Sequence, residues 1–152
     1  MRTRRTFVSL ALALGTIVVS GGPSGAASGD AKVTAVTTTG SAGAYTFDVT
    51  IASNDTGCDH YVDWWEVVDE NGALVYRRIL LHDHADEQPF TRDGGPAKVR
   101  PDQVVTVRAH VNTSGYAAAA MRGSVQAGFK AIQLPAGYAA ALAKEKPLPD
   151  VC

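Results

Sequence analysis

Alternation of apolar and polar residues predicts a protein built from short β-strands. In Tyr45–Ile51 every second residue is aromatic or β-branched, and the residues between them are Thr or Asp. Val105–Val111 alternates in the same way, and Asp30–Thr39 does so loosely. A period of two is typical of strands with one buried face. With closely spaced turn signals and few helical segments, the pattern predicts an all-β fold, an immunoglobulin-like antiparallel β-sandwich of about seven strands.

A β-hairpin is predicted in the middle of the chain, within residues 58–92. Residues 60–68 and 74–81 are both rich in aromatic and β-branched residues. Between them lies Asp-Glu-Asn-Gly at 69–72, a strong turn signal because Asn and Gly tolerate positive φ. By contrast, the polar residues 83–96 are predicted to form a long loop with one short extended piece.

The predicted hairpin gathers histidines at its open end. Counting outward from the turn places His60 opposite Leu81 or, in the neighbouring register, opposite His82. His84 shares a face with His82 if the strand stays extended that far. In a sandwich, the strand that ends at His110 lies antiparallel to the one that starts at His60, so His110 is expected at the same end.

Neutral imidazoles are good ligands for borderline transition metals, so this cluster predicts a copper or zinc site. The candidate ligands are His60, His82, His84 and His110. Two alternatives remain open: hydrogen-bonded or surface histidines, and histidines that contact an organic ligand. Nearby carboxylates could orient the imidazoles, bind calcium or simply form a solvated loop. They are Asp59, Asp63, Asp83, Asp86 and Glu87.

The N-terminal segment predicts export. Three arginines precede an apolar run at 7–19, which is followed by small residues and a cleavage site before Ser28. This is the pattern of a secretory signal peptide over residues 1–27, so the chain is expected to be secreted or periplasmic, with no membrane attachment after cleavage. Residues 28–134 are then the β-sandwich domain, and residues 135–152 form a C-terminal tail with a short helix.

Two cysteines in an exported chain most simply form one disulfide, here between Cys58 and Cys152. Free thiols, or Cys58 as a metal ligand beside His60, are the alternatives.

Removal of residues 1–27 changes the formal charge from −1 to −4. A mildly acidic domain without a basic run is not expected to bind nucleic acid.

Trp64 and Trp65 are adjacent in a predicted strand and therefore point to opposite faces. One is expected in the core, while the other could line a surface that binds a partner. A surface from Trp65 to Arg92 that binds a protein or glycan of the cell envelope is the alternative to metal binding.

The sequence contains none of the common catalytic motifs, so no catalytic residue or other cofactor is predicted, and the oligomeric state is left open.

The segments DHYVDWWEVV, LHDHADEQPFTR and VRAHVNTSGY resemble a group of small exported bacterial proteins with a DHY…WEVV…HxHxDEQPFTR…RAH pattern. The resemblance covers roughly residues 31–120 and implies a single exported domain without implying an activity. Cys58 and the chain from about Met121 depart from it.

DHYVDWW is also similar to a ligand segment of the superoxide reductase (desulfoferrodoxin) domain, an immunoglobulin-like sandwich that binds iron through four His and one Cys. His60 matches the first ligand position, but Val111 and Ser114 stand where a Cys and a His would be. The similarity therefore implies the fold, with a superoxide-reductase-like redox function as a minor alternative.

Overall fold

The computed structural model describes residues 28–152; the predicted signal peptide lies outside them. Eight strands and one 3-10 helix follow in order. They are β1 Ser28–Ser41, β2 Ala44–Ser53, β3 Val62–Asp69, β4 Leu74–Ile79, β5 Phe90–Ala97, β6 Val105–Val111, β7 Gly115–Ser124, β8 Gly128–Gln133 and the 3-10 helix Ala140–Lys144. Within this part of the chain, no helix has the length and apolar character needed to cross a membrane.

The strands confirm the all-β prediction and follow the immunoglobulin-like order. Their hydrogen-bonded path is β4-β3-β6-β7-β1-β2-β5, with β8 added to β7. All pairs are antiparallel except β1 and β7, which pair in parallel and join the two halves of the sandwich into one nearly barrel-shaped sheet. The two ends of the path approach each other where Arg78 of β4 donates to the carbonyl of Asp93 of β5.

The apolar faces that the alternation predicts meet in one core. Phe47, Val49 and Ile51 of β2 are completely buried there. The Val and Ala residues of β6 face the same core, while Thr106, Arg108 and His110 lie on the opposite face of that strand. Trp65 of β3 spans the space between the two halves, and its six-membered ring reaches Gly94 of β5.

The hairpin turn is confirmed, but its predicted register is wrong. The turn closes where the amide of Asp69 donates to the carbonyl of Ala73. A bulge between Val67 and Val68 then shifts the pairing, so Trp64 faces Ile79, beyond both predicted registers. A bulge adds one residue to one strand, which the spacing of apolar residues does not reveal. Strand pairing ends near Leu80, and the histidines that follow lie in a loop.

The predicted loop is confirmed over residues 83–89, and the short extended piece predicted within it is longer than expected, since it forms β5. This strand lies at the end of the sheet path, where a proline such as Pro96 costs no ladder hydrogen bond. Its Gly94 is required by packing. A Cβ at that position would lie 2.8 Å from ring atoms of both Trp65 and Tyr76. The Pro and Gly residues that suggested a loop are thus compatible with an edge strand.

The disulfide between Cys58 and Cys152 is present, as predicted. It fastens the C-terminal tail to the loop before β3. The predicted helix in the tail is shorter than expected, a single 3-10 turn over Ala140–Lys144. This tail covers the outer face of β4, β3, β6 and β7, the face that points away from the core.

Substitution Gly94→Ala should lower the free energy of unfolding by about 1–3 kcal/mol, because the added methyl overlaps two aromatic rings in a packed core. Gly29→Ala is the matched control, since a Cβ there meets no atom within 4 Å. Urea unfolding, monitored by tryptophan fluorescence, gives the unfolding midpoint of each variant. Equal midpoints for the two variants would contradict the packing role of Gly94.

Candidate functional site

The loop after β4 is fixed to the start of β3 by one buried carboxylate, Asp55. One Asp55 oxygen accepts from the amide of His84 at 3.0 Å, and the other accepts from the amide of Val62 at 3.1 Å. Gln88 adds a third tie by donating to the carbonyl of His84. The position of His84 is therefore determined by the framework rather than by the loop alone.

The imidazole of His84 is buried without a hydrogen-bond partner. Its side chain is 1% exposed and stacks on Phe90, with ring centroids 3.8 Å apart. Among residues 28–152, neither ring nitrogen has a hydrogen-bond partner, and Nδ1 is 3.7 Å from the nearest Asp55 oxygen. An unpaired buried polar group is costly, and such groups often mark a binding or catalytic role.

Two exposed side chains approach this buried ring. One ligand atom from each of His82, His84 and Glu87 lies within 4.8 Å of the others. The Nδ1 of His82 hydrogen-bonds with the carbonyl of Asp83 at 2.8 Å, so Nε2 is the nitrogen available for a ligand. The carboxylate of Glu87 accepts from Arg92 at 2.5 Å.

The group fits a small transition-metal ion after a modest movement. Bonds to zinc from nitrogen or carboxylate oxygen are about 2.0–2.2 Å long, so two ligand atoms can be at most roughly 4.3 Å apart. His82 and Glu87 are exposed and can rotate toward the fixed His84. Glu87 would exchange its contact with Arg92 for the ion.

The electrostatics favour the ligand forms of these side chains. Burial lowers the pKa of the His84 imidazole, and the nearby positive charges of Arg92 and His82 lower it further. The hydrogen bond from Arg92 lowers the pKa of the Glu87 carboxyl. A neutral imidazole and an ionised carboxylate are the forms that bind a metal.

The structure places the other two predicted histidines outside this group. His60 lies in a tight turn before β3, and its Nδ1 is 2.6 Å from the Thr113 hydroxyl. The Nδ1 of His110 is 2.7 Å from Asp63, and the ring of His110 stacks on Trp64 at 3.7 Å. The fold thus brings together His82 and His84 but not His60 or His110.

The predicted partner surface from Trp65 to Arg92 needs correction. Trp65 is completely buried in the core and offers no surface. Trp64, on the other face of β3, is 3% exposed because the imidazole of His110 and the guanidinium of Arg77 cover its ring. Of the two residues named for this surface, Arg92 alone is accessible, beside Glu87.

Three buried charged residues form an ionic row under the tail, which the sequence pattern did not predict. Glu66 of β3 faces Arg77 on one neighbouring strand and Arg108 on the other. Its two oxygens accept from Arg77 at 2.5 Å and Arg108 at 2.7 Å, and all three side chains are at most 1% exposed. A charged residue inside each of the apolar runs WEVV and VRAHV was the available signal.

The two arginines hold the tail in place. Arg77 donates to the carbonyls of Leu142, Glu145 and Pro147, and Arg108 donates to those of Tyr138 and Ala139. The guanidinium of Arg108 also stacks on Tyr116, 3.4 Å from the ring centre. Burial raises the pKa of the Tyr116 phenol to about 12, so this phenol stays protonated.

One curated relative was found in the comparisons with known proteins. A "Putative lipoprotein" from Halomicrobium mukohataei is 40% identical over 93 residues, which are 60% of this chain and 46% of the relative. The chain thus spans less than half of that protein's length. No protein-family model and no solved structure matches the chain.

Substitution Glu66→Gln should destabilise the fold by roughly 3–5 kcal/mol, because it leaves two buried guanidinium groups without their shared carboxylate. Glu70→Gln is the control. Glu70 is exposed and lies 3.9 Å from Arg122, so its loss should cost less than about 1 kcal/mol. Denaturant unfolding with the disulfide intact compares them. A Glu66→Gln variant as stable as Glu70→Gln would refute this account of the ionic row.

Stability should fall as the pH drops below about 6.5, partly because of His84. Its pKa is lowered in the folded protein, whereas in the unfolded chain it is near the ordinary value of about 6.5. Below that pH the unfolded state binds a proton that the folded state does not, and this continues until the folded pKa is reached. At higher pH His84 is neutral in both states, so it does not make the free energy of unfolding depend on pH.

The variant His84→Phe keeps an aromatic ring over Phe90 and removes the titration. Urea unfolding from pH 8 to pH 5 should therefore show a smaller loss of stability for this variant than for the wild type. Leu81→Ala, at an exposed position without a titratable group in the same loop, is the control and should lose as much stability between pH 8 and pH 5 as the wild type does. An unchanged slope in His84→Phe would show that His84 does not contribute.

Proposed function

We propose that this protein is an exported β-sandwich domain that binds a transition-metal ion, zinc or copper, through His82, His84 and Glu87. The observation that carries the proposal is the buried imidazole of His84, whose two nitrogens have no hydrogen-bond partner among the described residues. A bound ion would supply the missing interaction. The predicted ligands His60 and His110 are not needed, since each has another partner.

The ligand set suits these metals. Two imidazoles and one carboxylate match the preference of Zn²⁺ and Cu²⁺ for nitrogen ligands with some oxygen. Three protein ligands also leave a coordination position for water or an outside ligand, which is typical of catalytic or exchangeable sites rather than of closed structural ones. Asp55 holds the backbone of His84, so one ligand is preorganised and the two exposed ones close on it.

Export is supported by three separate observations. Residues 1–27 have the pattern of a signal peptide. The chain holds a disulfide, which persists in oxidising compartments outside the cytosol. The relative's name, lipoprotein, is consistent with a location at the cell envelope.

The exported chain, purified without a histidine tag, should bind one Zn²⁺ or Cu²⁺ ion in calorimetric titration. His82→Ala should weaken binding at least about tenfold, because it removes one of three ligands from an exposed position where folding is unaffected. His84→Ala should abolish it. His60→Ala, the matched control outside the group, should bind as the wild type does.

Two results would contradict the metal proposal. One is wild-type binding no tighter than that of the His82→Ala variant. The other is an equal loss of affinity in His60→Ala, which would indicate non-specific binding to exposed imidazoles.

A further inference from the structure

A cavity lies between the outer face of β6 and β7 and the C-terminal tail. Its volume is about 250 Å3, equal to roughly eight molecules of liquid water. The sheet contributes Arg108, His110 and Tyr116 to its wall, and the tail contributes Pro135, Tyr138 and Ala143. A single-ring organic molecule has the right size for this space.

The wall is largely apolar, and its one arginine is already occupied. Arg108 donates to Glu66 and to two tail carbonyls, and its guanidinium plane lies on the ring of Tyr116. A guanidinium with these partners has little capacity left for a carboxylate or phosphate. The cavity therefore favours an uncharged ligand with an apolar body.

His110 supplies a hydrogen-bonding group of defined polarity. Its side chain lines the cavity, and its Nδ1 is 2.7 Å from the carboxylate of Asp63, which is 4% exposed. Since a carboxylate accepts, the neutral ring carries its proton on Nδ1, and Nε2 is left as an acceptor. Stacking on Trp64 and edge contact with Tyr116 fix the plane of the ring.

We propose that this cavity binds a small, neutral, single-ring molecule that donates one hydrogen bond, from a hydroxyl or N–H group, to Nε2 of His110. The tail covers the ligand, and the Asp63–His110 pair selects for a donor. The site shares no residue with the group His82, His84 and Glu87, so it is independent of the proposed metal site.

Phenol and anisole are suitable probes, because they have similar shapes but only phenol can donate a hydrogen bond. Titration of the whole exported chain, followed by NMR and calorimetry, should show saturable binding of phenol. Anisole should bind about five- to tenfold more weakly, the usual contribution of one hydrogen bond. Substitution Ala143→Leu fills the cavity from the tail side and should abolish the binding of both.

His110→Phe keeps a ring over Trp64 but removes the acceptor, so phenol and anisole should bind this variant equally. Glu70→Gln, at an exposed residue outside both proposed sites, is the control and should leave the preference for phenol unchanged. Equal binding of the two probes by the wild type would show that the ligand need not donate a hydrogen bond to His110. Unsaturable binding of both, or saturable binding that persists in Ala143→Leu, would overturn the site itself. The Ala143→Leu test holds even if His110→Phe does not fold.

Discussion

The carboxylate of Glu66, buried between Arg77 and Arg108, is the interaction on which the outer half of this structure depends. Each guanidinium has five N–H donors, and one carboxylate cannot satisfy ten. The remaining donors need acceptors at a site closed to water, and the main-chain carbonyls of the tail supply them. The tail is thus required by the ionic row, not merely laid over it.

This requirement explains several features at once. The tail must lie across three strands to reach both arginines, and in doing so it encloses the cavity that His110 lines. Ala139 adopts a left-handed conformation, with φ of 42°, where its carbonyl meets Arg108. The conformational cost at this residue is offset by a charge-assisted hydrogen bond.

Much of the architecture followed from local patterns in the sequence. The alternation in β2 and β6, the turn at Asp69–Gly72 and the pairing of the two cysteines were all predicted, because each depends on neighbouring residues or on the compartment. The bulge at Val67 was not, and it displaced every partner beyond it. β5 was predicted only as a short extended piece, because Gly94 is explained by aromatic rings of other strands and Pro96 by the position of β5 at the end of the sheet.

The candidate sites were predicted in part for the same reason. His82 and His84 are close in sequence and lie together in the structure. His60 was expected beside them because of the predicted hairpin register, and His110 because of the end of the sandwich at which its strand was expected to finish. Asp55, which positions His84, comes from a different loop and gave no signal. The same is true of Glu66, whose two partners lie 11 and 42 residues away in the chain.

The disulfide closes a loop of 94 residues, and this has a consequence for the order of assembly. An unfolded chain rarely brings such distant thiols together, because the entropic cost of closure grows with loop length. In the folded chain the two Cα atoms lie 5.6 Å apart, and the tail that carries Cys152 is held by Arg77 of β4 and Arg108 of β6, which both pair with Glu66 of β3. We therefore expect the disulfide to form after these strands have assembled, so that its oxidation state distinguishes completely folded molecules from incompletely folded ones.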